Sequence, residues 1–103
     1  MRDIAREQLL AELRALRPEF EAMGVTRMAL FGSRARGDNR PDSDVDLVVD
    51  IEPGRKFSML DAIGVGHVVQ HRLGLETNVT VLSKYADPKF LRSVEQDRAA
   101  VFG

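Results

Sequence analysis

The chain has 103 residues, 15 Lys and Arg against 16 Asp and Glu, and no cysteine. A length well under ~150 residues points to one domain with one modest core, and 44% hydrophobic with 30% charged residues is a globular composition. A net charge of -1 excludes a strongly basic nucleic-acid binder, and the missing cysteine excludes a disulfide scaffold, a thiol nucleophile and a cysteine-based zinc site.

No apolar run approaches the ~18 residues that span a bilayer. The start, Met-Arg-Asp-Ile-Ala-Arg-Glu, carries charges where a signal peptide would be apolar. We therefore expect a single domain over residues 1–103, soluble and cytoplasmic, with no membrane partner and no direct nucleic-acid binding.

Leu9, Leu13, Leu16 and Phe20 recur at helical spacing, so residues 4–22 read as an amphipathic helix. Pro18 should kink that helix or restart it as a first-turn proline, and Gly24 is a stop signal. Arg27 to Phe31 is short, mostly apolar and followed by glycine, which predicts a buried strand. Residues 32–43, rich in Gly, Ser, Arg, Asp, Asn and Pro, predict a loop with room for one helical turn after Ser33.

Asp44 to Asp50 alternates and then turns apolar, a second strand, and Pro53-Gly54 turns the chain. Residues 57–73 predict a helix, weakened by Gly64 and Gly66. Val79 to Leu82 is a third strand after the break at Gly74. Beyond Pro88, Phe90, Val94 and Val101 fall on one face of a closing helix. The order predicts an α/β fold with helices covering a three-stranded sheet, its last two strands joined by a parallel crossover.

The chemistry concentrates between Phe31 and Asp50. Asp44 and Asp46 stand two apart on a predicted strand, so both carboxylates project from one face. Two adjacent carboxylates repel, and a divalent cation relieves that repulsion; hard oxygen ligands suit Mg²⁺, which completes its shell with waters and substrate phosphates. Gly32 and Ser33 end the first strand in a turn where backbone and hydroxyl can approach a phosphate. If the first two strands are antiparallel, Gly32-Ser33 and the acid pair face one cleft, the minimum apparatus for phosphoryl-type transfer from a nucleotide.

Competing motifs fail on spacing. Asp42, Asp44 and Asp46 imitate the start of an EF-hand loop, but Leu47 and Pro53 stand where that loop needs Gly and Glu. No Gly-Lys precedes Ser or Thr, so there is no Walker-type loop. His67 and His71 are four apart on a predicted helix but lack the glutamate of a zincin. Arg34, Arg36, Arg40, Arg55 and Lys56 ring the predicted cleft; Arg34 and Arg36 are the candidate phosphate contacts, and for the others a solvated basic rim is an equal alternative. Tyr85, the single tyrosine, carries no nucleotide-stacking signal.

Phe31-Gly32-Ser33-Arg34-Ala35-Arg36-Gly37, followed by Ser43-Asp44-Val45-Asp46-Leu47, resembles the signature of the minimal nucleotidyltransferase (MNT) family of the DNA polymerase β-like superfamily. The resemblance implies a mixed sheet flanked by helices, with Gly32 and Ser33 on the triphosphate and Asp44 and Asp46 on Mg²⁺. It implies transfer of a nucleoside monophosphate, AMP from ATP, to a tyrosine of a HEPN-domain ribonuclease toxin, with this chain as antitoxin. Many superfamily members carry a third carboxylate on the third strand. The best match here is Thr80, with Asn78 as a second alignment, and neither is an acid. That departure supports an alternative, a binding module that neutralises a HEPN partner by contact. Transfer to a small molecule is a third reading, weakened because larger enzymes usually supply that second pocket.

Overall fold

A computed structural model describes residues 4–82 and 88–103. The elements are α1 (Arg6–Ala15), α2 (Arg17–Ala22), β1 (Val25–Phe31), α3 (Ser33–Arg36), β2 (Val45–Ile51), α4 (Met59–Leu73), β3 (Thr77–Val81), α5 (Pro88–Asp97) and β4 (Ala99–Phe102). Pro18 restarts the first helical stretch as α2, at a first-turn position where its missing N–H costs nothing. Ser58 caps α4 reciprocally: its amide donates to Asp61 Oδ2 at 2.8 Å, and its hydroxyl accepts from the Asp61 amide at 3.3 Å.

The strands form one sheet in the order β3-β2-β1-β4. β1 runs antiparallel to β2 and to β4, while β2 and β3 are parallel across the α4 crossover. The sheet therefore has four strands rather than the expected three. The extra one, β4, includes Val101, which the periodicity assigned to the closing helix. Pairing fixes it: Leu30 lies opposite Ala99 and Ala29 opposite Ala100, and Arg14 of α1 donates to the Val101 and Ala100 carbonyls at 2.9 Å each. The face expected for Phe90 and Val94 on α5 lies outside the described side chains, and Tyr85 lies outside the described residues.

One face of the sheet holds the core. Met28 and Leu30 of β1 pair with Val49 and Leu47 of β2, and all four are buried together with Leu9, Leu13 and Phe20 of α1–α2 and Val65 and Val69 of α4. Gly66 lets α4 come close to β3, since a Cβ there would stand 3.3 Å from the Thr77 carbonyl. Because side chains alternate along a strand, residues between the core positions, Asp46 among them, face the opposite side. No helix among the described residues is long and apolar enough to cross a membrane.

Candidate active site

The β1–β2 register places the site. Phe31 lies opposite Asp46, so the chain leaving β1 passes through Gly32 directly beside that carboxylate. Gly32 adopts φ +76°, and a Cβ there would sit 2.8 Å from Asp46 Oδ2. Only glycine permits both the dihedral and the approach. Ser33 then opens α3, a single turn whose first amides have no carbonyl one turn back to bond. The turn is tied at both ends: Arg6 donates to the Ala35 carbonyl at 2.9 Å, and Gly37 caps it in the left-handed region with its amide 2.8 Å from the Ser33 carbonyl.

Across the cleft, β2 and β3 are paired so that Asp46 lies beside Asn78 and Val48 beside Thr80. Asn78 Nδ2 donates to Asp44 Oδ2 at 3.1 Å and to Asp46 Oδ1 at 3.3 Å. One amide thus bridges both carboxylates, in the place a cation between them would be attracted to. Of the two alternatives, the pairing sets Asn78 rather than Thr80 beside the acid pair. Burial pushes the Asp46 carboxyl above its ordinary range, and the neighbouring Asp44 charge adds to that rise, while the hydrogen bond from Asn78 opposes it.

The arginines divide. Arg34 is 1% exposed, and its Nε and NH2 donate to the carbonyls of Ser43 at 2.9 Å and Pro41 at 3.2 Å. Arg34, a candidate phosphate contact, clamps the loop that delivers Asp44. Its NH1 is buried without a hydrogen-bond partner. Burial of so charged a group had no signal in a loop this rich in Gly, Ser, Asp and Asn. Arg36 is exposed and pairs with Asp38 at 3.1 Å. His67 and His71 lie on α4, and among the described residues no group of three or more His, Asp or Glu converges on one point.

The acid pair is a sound donor set for a hard divalent cation: two carboxylates held side by side, with a glycine backbone close enough for a phosphate to reach the same spot. A family model described as a nucleotidyltransferase domain matches residues 7–101. The chain belongs to the nucleotidyltransferase domain family. Within it, this chain is 36% identical over 75 residues to the protein adenylyltransferase MntA of Thermococcus cleftensis, covering 73% of this chain and 71% of that one. A solved structure described as a minimal nucleotidyltransferase superposes with a TM-score of 0.76 at 30% identity, covering 93% of this chain and 95% of the other. A complex of a tri-AMPylated HEPN toxin with an MNT antitoxin from Shewanella oneidensis has the same fold, with a TM-score of 0.59 at 12% identity over 88% of this chain and 72% of that one. The nucleotidyltransferase fold and family agree with the expectation drawn from the signature.

Proposed function

We propose that this nucleotidyltransferase transfers AMP from ATP to a tyrosine hydroxyl of a HEPN-domain toxin and so acts as its antitoxin. The observation that carries the reading is the juxtaposition of Gly32 against Asp46, with Asp44 and Asp46 drawn together by Asn78. Its similarity to MntA and to an MNT antitoxin crystallised with an AMPylated HEPN toxin supports the choice of acceptor.

Gly32 and Ser33 would seat the triphosphate, with Arg36 beside them on the exposed side of α3, and Asp44 and Asp46 would hold Mg²⁺. Bound there, the cation would neutralise charge on the triphosphate as it builds up in the transition state. The acceptor oxygen bonds to the α-phosphorus, the bond from that phosphorus to the bridging oxygen breaks, and pyrophosphate leaves. Asn78 cannot take the hydroxyl proton as a third carboxylate would, so the proton passes to water. The chain then holds and orients its substrates well but activates the acceptor weakly.

The test incubates the chain with ATP, Mg²⁺ and the HEPN-domain protein encoded beside it, and follows the partner's intact mass. The wild type should add AMP, and the Asp44→Ala/Asp46→Ala double variant should add none. The amide at position 78 favours one other reading, neutralisation by contact alone. That reading wins if the wild type transfers nothing and the double variant still silences the toxin.

A further inference from the structure

We infer that Asn78 is a third ligand of the cation site, a neutral amide that bridges Asp44 and Asp46 through Nδ2 when no cation is bound and turns to offer Oδ1 when one is. The inference rests on the proposed role of Asp44 and Asp46 in holding Mg²⁺ and adds a residue to that role. β3 runs parallel to β2 with Asn78 beside Asp46, so the two side chains leave neighbouring strands on one face of the sheet. Asn78 Nδ2 stands 3.1 Å from Asp44 Oδ2 and 3.3 Å from Asp46 Oδ1. A group within reach of one oxygen from each carboxylate stands beside any cation that the two share.

A primary amide has both of the characters this needs. Its NH₂ donates and its carbonyl oxygen accepts, and half a turn about the terminal torsion exchanges their places. Ionised carboxylates only accept, so the NH₂ end faces them. A cation reverses the demand, because an NH₂ turns its hydrogens toward the positive charge and its lone pair is spread into the amide. The carbonyl oxygen keeps its lone pairs, and Asn carbonyls ligate hard divalent cations. Little holds the amide against turning. Asn78 is exposed, and Oδ1 has no hydrogen-bond partner among the described residues. The cation would also replace, on the same two carboxylates, the bonds that Nδ2 gives up.

No third acid competes for the position. Among the described residues no three His, Cys, Asp or Glu side chains converge on one point, and Thr80 lies opposite Val48, two residues further along β3. The charge count also suits an amide. Two carboxylates and one amide carry two negative charges, which one divalent cation neutralises. Three carboxylates would set three like charges together with no donor to bridge them. The amide therefore keeps the acid pair assembled before the cation arrives and gives an oxygen to it afterwards. A bridging amide could act instead as a plug that the cation must expel. The two roles differ in sign, since deleting a ligand weakens binding and deleting a plug strengthens it.

The test needs neither nucleotide nor partner. Mn²⁺, which shares the octahedral oxygen preference of Mg²⁺, is titrated into the chain and its free concentration read by electron paramagnetic resonance. In parallel, the side-chain NH₂ signals of Asn78 are followed by ¹⁵N NMR as Mg²⁺ is added. We expect Asn78→Ala to bind Mn²⁺ about tenfold more weakly than wild type, and Asn78→Asp to bind at least as tightly as wild type. Mg²⁺ should move the Asn78 NH₂ signals away from their hydrogen-bonded positions. Binding by Asn78→Ala that is unchanged or tighter would overturn the ligand, and so would NH₂ signals that stay in place at saturating Mg²⁺. A wild type that binds neither cation would overturn the metal role of the acid pair and this inference with it. Cation binding as expected without any AMP transfer would sink the proposed reaction and uphold the ligand.

Discussion

The two flanks of the acid pair are built differently. On the β1 side, Gly32 packs its backbone against Asp46, α3 is tied down by Arg6 and Gly37, and buried Arg34 clamps the loop ahead of Asp44. On the β3 side, one exposed amide, Asn78, spans the carboxylates, and beyond it lie an open groove and an apolar rim. The first flank is complete within the chain. The second is open, and under the proposed function the braced flank takes the nucleotide and the open one is left for the acceptor.

Substitutions on the closed flank should do the greatest damage. Gly32→Ala forces a residue with a Cβ into a dihedral costing about 1–3 kcal/mol and drives the new methyl into Asp46. We expect a lower melting temperature and a loss of AMP transfer exceeding a hundredfold. Arg34→Met removes two charge-assisted hydrogen bonds from a buried side chain, a loss of about 2 kcal/mol or more. Nucleotide affinity should fall with it as the Asp44 loop loosens. Arg34→Lys should rescue little, since a point charge cannot fork to two carbonyls. Stability and nucleotide affinity that survive Arg34→Met would show the loop to be held by other means.

The open flank should respond more gently, and in the opposite direction. Asn78→Asp restores a third carboxylate, and transfer at saturating Mg²⁺ should rise several-fold, since a base then stands by the acceptor hydroxyl. The same variant should be less stable without divalent cation, because three acids would crowd where an amide now bridges two. An unchanged rate would mean that proton removal does not limit transfer.

The smallest effect concerns Asp46 and pH. Burial raises its folded pKa above the unfolded value, so the folded state holds this proton more tightly, and the site loses stability as pH rises through that window. Asp46→Asn should melt a few degrees above wild type at neutral pH, and the gap should close below the ordinary carboxylate range. A gap independent of pH would place the effect elsewhere.

Legibility in the sequence followed the same division. The acid pair was readable because spacing of two on a strand puts both carboxylates on one face, and Gly-Ser at a strand end is a local signal. The third position was not, because Asn78 and Thr80 are themselves two apart and share a face; only the pairing of Asp46 with Asn78 separates them. Val101 satisfied a helical period as well as a strand, and β4 exists because β1 offers an edge to pair. Arg34 read as a candidate phosphate contact, and its burial depends on a loop closing over it, a tertiary event with no local pattern.

The most direct test of this asymmetry is nucleotide binding with and without the partner. Titrating ATP and Mg²⁺ into the isolated chain, and into its complex with the HEPN-domain protein held unreactive by replacing its acceptor tyrosine with phenylalanine, compares the two states. A complete nucleotide flank predicts equal affinity within about threefold in both, with AMP transfer only where the acceptor tyrosine is present. Binding confined to the complex would contradict it, because the triphosphate seat would then need the partner.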